Sequence, residues 1–184
     1  DAFVGLDQLG GILEAVQGES DGALPDQHGA IRLYDHTQPR LLSTKGHAYL
    51  KVAEGCNNPC TFCHIPAMRG KYRSRRLGDL VADARRLESA GVKELILIAQ
   101  DTTRYGEDLD LGRGGLRRLV EAILESTAIP WIRFLYAYPA TMDEGLFDLM
   151  GADERFLPYL DIPLQHADRS DLKAMKRGGD AASF

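Results

Sequence analysis

Cys56, Cys60 and Cys63 are the only cysteines of the chain, and they stand together in Glu54-Gly55-Cys56-Asn57-Asn58-Pro59-Cys60-Thr61-Phe62-Cys63. A secreted disulfide framework uses an even number of cysteines spread along its chain, so these three are not one. Their spacing is Cys-x3-Cys-x2-Cys, on a stretch where glycine, two asparagines and a proline enforce a loop that can wrap three thiolates around one centre. Three thiolates hold three irons of a [4Fe-4S] cubane and leave the fourth iron free for a small molecule. Zinc with His64 as fourth ligand is the competing reading. It requires the adjacent Cys63 and His64 to turn onto one ion, whereas structural zinc usually comes as paired knuckles.

The elements that must carry this loop follow from apolar spacing. Residues 48–52 read as a strand ending at the cysteine loop, and 79–90 as a helix with Leu80, Ala84 and Leu87 on one face and Gly91 as its stop. Residues 94–99 form a continuous apolar strand suited to burial on both faces, and Leu116, Leu119, Val120, Ile123 and Leu124 stripe the next helix. Further units are a strand over 131–136 with a helix over 143–150, and a strand over 159–162 with a helix over 168–176. The fold class is therefore α/β, a parallel sheet of about four βα units, too few to close an eight-stranded barrel. In such a sheet the loops at strand C-terminal ends share one rim. Here they are the cysteine loop, Gln100-Asp101-Thr102-Thr103, Tyr136-Ala137-Tyr138-Pro139 and Gln165-His166.

Residues 1–16 read as a strand end and a short helix with Ile12, Leu13 and Val16 inward, and 17–44 as a Gly-, Pro- and polar-rich linker. The start without Met and the stop after a helical pattern suggest a fragment. The 184 residues are 44% hydrophobic and 27% charged, an ordinary globular composition. With 22 basic and 27 acidic residues, the net charge of −5 is too mild to mark a general nucleic-acid or membrane-surface binder. The longest aliphatic run, 95–99, is far short of the about 20 residues of a membrane span, and with no signal segment the chain reads as cytoplasmic. Gly112, Gly114 and Gly115 lack the lysine of a phosphate-binding loop. Arg69, Lys71, Arg73, Arg75 and Arg76 form a local basic run, either a solvated face or a strip that steers an acidic target.

The Cys-x3-Cys-x-Phe-Cys pattern, with Tyr49-Leu50-Lys51-Val52-Ala53-Glu54-Gly55 before it, resembles the radical S-adenosylmethionine enzymes and, more narrowly, their methylthiotransferases. Ile65-Pro66-Ala67-Met68-Arg69-Gly70, Ile98-Ala99-Gln100-Asp101-Thr102-Thr103-Arg104-Tyr105-Gly106 and Tyr159-Leu160-Asp161-Ile162-Pro163-Leu164-Gln165-His166 resemble the branch that modifies a small-subunit ribosomal protein. The resemblance covers about residues 40–178. It implies a partial (β/α) barrel over 45–184, truncated at its C-terminus, with 1–44 the tail of an N-terminal α/β domain and its linker. In complete members a second cluster is held by three further cysteines of that domain, and none is present here.

The implied reaction places a methylthio group on the β-carbon of one aspartate. The implied partners are the ribosomal protein and an electron donor such as flavodoxin or ferredoxin, with ribosomal RNA as a neighbour that the basic run would face. Cys56, Cys60 and Cys63 would ligate the [4Fe-4S] cluster, and S-adenosylmethionine its open iron. Phe62 is placed to shield the cluster and pack on the adenine, or simply to pack the loop. Gln100 and Asp101 are placed to bond the cofactor's amino or ribose groups, or to cap the following turn. Tyr136 and Gln165 occupy equivalent strand ends, and His166 reads as structural. A tRNA-adenosine methylthiotransferase, a zinc-binding interaction module and a catalytically silent fragment are the alternatives.

Overall fold

In the computed structural model the described residues are 12–18 and 46–180. The chain divides into two units, Asp1–Leu33 and Tyr34–Phe184. In the first unit the described part is the helix α1 (Ile12–Gln17). Ile12, Leu13 and Val16 were expected to face inward and are instead 47%, 65% and 78% exposed. A helix of fewer than two full turns cannot enclose its own side chains. The expected strand end, the linker and the domain boundary at 44/45 lie outside the described residues.

The second unit runs β1 (His47–Lys51), β2 (Ala53–Glu54), α2 (Ile65–Arg69), β3 (Arg73–Ser74), α3 (Leu77–Ser89), β4 (Glu94–Ile98), α4 (Gly115–Ser126), β5 (Trp131–Phe134), α5 (Gly145–Ala152) and α6 (Arg169–Ala174). β1, β4 and β5 make a parallel sheet in the order β1-β4-β5, with Leu50 beside Leu97 and Ile96 beside Arg133. The central strand buries Leu95, Ile96 and Leu97 in succession, as a strand covered on both faces must. Leu80, Ala84 and Leu87 of α3 and the five-residue apolar stripe of α4 are all buried in the same core, as their spacing predicts.

Two features depart from the sequence reading. β2 and β3 form a small antiparallel ribbon, Ala53 opposite Ser74 and Glu54 opposite Arg73, which two-residue strands cannot announce by periodicity. The strand expected over 159–162 does not form. Instead, an irregular run follows the edge of β5 from Arg155 to Asp161. The Ile132 N–H donates to the Arg155 carbonyl (2.7 Å), the Leu157 N–H to the Ile132 carbonyl (2.9 Å) and the Ala137 N–H to the Asp161 carbonyl (2.9 Å), with a single bridge at Phe156. Pro158 has no N–H to continue a ladder, and Pro163 stands just beyond, so the short, largely apolar run between them is not enough.

Phe156 anchors this run. Its ring is fully buried and stacks on Phe134 at 6.1 Å between centroids. Replacing Phe156 by Ala is expected to cost about 3–5 kcal/mol, read as a lower denaturant midpoint in equilibrium unfolding with little change of slope.

Candidate metal centre

The cysteine loop leaves the sheet at β2 and returns at β3, so the antiparallel ribbon closes its neck. Gly55 opens it at φ +82°, and a Cβ there would lie 2.2 Å from the Lys71 carbonyl oxygen. Only glycine fits, because the left-handed backbone and the close approach both exclude a side chain. The Cys56 N–H then donates to the Gly70 carbonyl (3.2 Å), and the Tyr72 N–H to the Asn57 side-chain oxygen (3.0 Å). Cys63 turns back with its N–H on the Cys60 carbonyl (3.1 Å).

Two outside elements hold the loop. From the end of β4, the side chain of Asp101, 1% exposed, accepts from Asn58 Nδ2 (2.7 Å) and from Thr103 Oγ1 (2.6 Å), with Arg104 Nε 3.4 Å away. From the end of α6, the Met175 carbonyl accepts from the Thr61 N–H (3.1 Å), and Arg177 Nη1 lies 3.7 Å from the Cys60 sulfur.

A cavity of about 410 Å³ opens at this rim, lined among others by Cys56, Cys63, Lys51, Ile98, Gln100 and Tyr136. Its walls are mainly apolar, with a few polar groups to orient a ligand. The Gln100 side-chain oxygen is buried without a hydrogen-bond partner. An unpartnered buried acceptor costs free energy that a donor on a bound ligand would recover. Lys51 is paired with the buried Glu54, which Arg69 also approaches at 3.6 Å.

All three thiols are free. Burial pushes the Cys56 thiol above its ordinary pKa, and the negative charge of Asp101 and the neighbouring Cys60 and Cys63 add to this, while the Asn58 N–H bonded to its sulfur (3.4 Å) acts the other way. The donor set fits an iron–sulfur cluster: three unpaired thiols on one loop, two of them lining a cavity with room for a small molecule. Among the described residues no three His, Cys, Asp or Glu side chains close on one point tightly enough to hold a metal ion. Ligation would therefore draw the loop inward.

The structure brings Cys56, Cys63, Gln100 and Tyr136 to one cavity, with Cys60 on the flank facing α6. Asp101 lies beneath it, committed to Asn58 and Thr103. Phe62 is 55% exposed and Gln165 is exposed, and neither lines the cavity. His166 Nδ1 accepts from the Asp168 N–H (2.9 Å), a local turn ahead of α6. The basic run is not one surface. Arg75 is buried against Asp83 (2.8 Å) and Arg69 turns to Glu54, which leaves Lys71 and Arg76 exposed and Arg73 half-buried. Sequence reasoning missed Lys51, Asn58 and Arg177. Asn58 was legible as a side chain within the loop, and Lys51 as the residue at the strand end.

The chain belongs to the radical SAM superfamily, whose family profile matches residues 50–184. Among curated proteins it is 48% identical to the ribosomal protein uS12 methylthiotransferase RimO of Koribacter versatilis, over 89% of this chain and 32% of that protein. It is 43% identical to the RimO of Solibacter usitatus, over 100% of this chain and 39% of that one. The chain thus spans less than half the length of these relatives. The radical S-adenosylmethionine methyltransferase TsrM of Kitasatospora setae, solved with tryptophan and a SAM analogue, shares the fold at a TM-score of 0.60 and 18% identity, over 86% of this chain and 31% of that one.

Gly55→Ala is expected to strain the loop by about 1–3 kcal/mol and push its neck apart. The chain should keep its far-ultraviolet circular dichroism while iron and sulfide bound per chain fall under limiting iron.

Proposed function

We propose that Cys56, Cys60 and Cys63 hold a [4Fe-4S] cluster whose fourth iron takes S-adenosylmethionine. On this reading the chain is the radical-generating part of a methylthiotransferase acting on the β-carbon of an aspartate in ribosomal protein uS12. The observation that carries the reading is the meeting of thiols from the cysteine loop with Gln100, whose buried side-chain oxygen has no partner, around one cavity at the strand ends. The relatives' names support the ribosomal protein over a tRNA adenosine as substrate. Superfamily membership supports a cluster over zinc.

When bound, the cluster supplies an electron to cleave the sulfonium C–S bond and generate a carbon radical, chemistry that side chains cannot perform. The chain's own residues do the rest. The three thiols give up their protons at Sγ on ligation. Gln100 Oε1 accepts from an amino or hydroxyl donor of the cofactor, while Ile98 and Ile65 keep the cavity wall apolar and water out. Asp101 acts through Asn58, fixing the loop on which Cys56 stands. Tyr136 forms the rim opposite the cysteines. A low-potential donor such as flavodoxin or ferredoxin supplies the electron, and a ribosomal-protein substrate places the enzyme in the cytoplasm. No helix among the described residues is long and apolar enough to cross a membrane.

Anaerobic reconstitution should give about one cubane per chain, whose electron paramagnetic resonance signal shifts on adding S-adenosylmethionine. Cys60→Ser should abolish 5′-deoxyadenosine formation. Undiminished formation, or a colourless zinc-loaded chain, would sink the assignment.

Gln100→Leu keeps the size of the side chain and removes the acceptor. It is expected to weaken S-adenosylmethionine binding about ten-fold, read by calorimetry on the reconstituted chain. An unchanged Kd would remove Gln100 from the cofactor site.

A further inference from the structure

The turn after α6 does more than end a helix. Lys176 adopts φ +52°, and this left-handed residue reverses the chain, with the Arg177 N–H returning to the Leu172 carbonyl (2.8 Å). The reversal sets Arg177 against the cysteine loop. Its guanidinium has three neighbours: Nη1 lies 3.7 Å from the Cys60 sulfur, Nη2 donates to the Pro163 carbonyl (3.0 Å), and the group stacks over the Tyr138 ring at 4.5 Å. Tyr138 is itself fixed, because its hydroxyl accepts from the Gly178 N–H (3.0 Å). A planar cation held on an aromatic face with one edge on a carbonyl has little freedom left, so its other edge is aimed at Cys60.

We propose that Arg177 is a positioning residue for the cluster, its fixed positive charge beside the Cys60 sulfur raising the cluster's reduction potential. This rests on the cluster reading above.

With a thiol at Cys60 the contact is a long, weak one. With a metal-bound thiolate it becomes a charge-assisted hydrogen bond. Reduction adds one electron to the cluster, makes and breaks no bond, and increases the negative charge held by the three thiolates and the iron–sulfur core. A cation fixed beside one thiolate stabilises that added charge, and hydrogen bonds to the sulfurs and net charge are among the levers that set such potentials. Arginine suits the role because it remains charged at any working pH and can serve Pro163 and Cys60 at once. The Thr61 N–H bonded to the Met175 carbonyl ties the loop to the same turn, so the backbone next to Cys60 and the backbone that carries Arg177 are held together.

The test compares the parent chain with Arg177→Met, Arg177→Lys and Arg169→Met, all reconstituted with iron and sulfide and titrated with dithionite under paramagnetic resonance. Arg169, exposed at the start of α6, controls for charge alone. Arg177→Met should load the same iron and sulfide per chain as the parent. Its reduction equilibrium should fall about ten-fold, a midpoint lower by about 59 mV for one electron. Arg177→Lys should recover part of the shift, and Arg169→Met should match the parent.

A loaded Arg177→Met with the parent's midpoint overturns the proposal and leaves the cluster reading standing. Failure of both Arg177 variants to load makes Arg177 a structural latch, which also overturns it. A parent chain that takes up no cluster overturns both readings.

Discussion

The hydrogen bond from Asn58 to Asp101 joins the two halves of the site. Asn58 belongs to the cysteine loop and Asp101 to the end of the central strand, 43 residues on, so this one contact sets where the thiols stand relative to the cavity wall. The bond is buried at both ends, where a side-chain pair is electrostatically stronger than in water and costly to leave half made. Asp101 is not left to a single partner. Thr103 donates to its other oxygen, Arg104 lies beside it, and Thr103 reaches Thr141 at 2.8 Å, so the strand ends of β4 and β5 are tied through the same group. A buried acidic group with these partners suits holding geometry better than binding a ligand, and Gln100, next to it in sequence, is the one whose oxygen remains free.

The buried charges elsewhere follow the same logic at the loop's other end. Arg75 sits just after the ribbon, with Asp83 of α3 at 2.8 Å and the Lys51 carbonyl at 3.1 Å, and its own carbonyl accepts from the Tyr105 hydroxyl (2.9 Å). Replacing such a pair by apolar residues need not lower stability, whereas removing one partner strands the other. Its service here is registration, since Arg75 fastens the exit of the cysteine loop to the helix and strand that frame the sheet. A cluster loop of glycine, asparagine and proline has no ladder of its own and must borrow rigidity in this way.

Much of this was legible in the sequence, for identifiable reasons. The strands and helices that frame the site carry their apolar periods openly: Leu95, Ile96 and Leu97 are buried in succession, and the α4 stripe is buried as spaced. Cys56 and Cys63 reach the cavity because the loop begins where β1 and β2 end, which follows from a strand ending at the cysteines. What the sequence hid was tertiary. The short apolar run at 159–162 argued for a strand, but the flanking prolines and the irregular pairing along β5 decided otherwise. The basic run looked like one patch until Arg75 turned inward to Asp83 and Arg69 toward Glu54. Arg177 carries no local signal, because its partner Cys60 is 117 residues away and arginines at helix ends are common.

Backbone strain marks the same rim. Of the four non-glycine residues with positive φ among the described residues, Tyr136 (+61°) lines the cavity just after β5 and Lys176 (+52°) lies in the turn that meets the cysteine loop. Each such residue costs of order 1–3 kcal/mol and persists only when its surroundings over-determine it. At Tyr136 they do. Its N–H donates to Asp161 Oδ2 (2.9 Å), its carbonyl accepts from the Thr102 N–H (3.1 Å), and the preceding Leu135 carbonyl accepts from the Thr102 hydroxyl (2.6 Å). The strain ends β5 two residues earlier than its sequence suggests and leaves the Tyr136 ring half exposed at the cavity mouth. The irregular run that replaced the expected strand supplies Asp161, so the departure from regular structure along β5 is also what holds Tyr136 in place at the cavity it shares with Cys56 and Cys63.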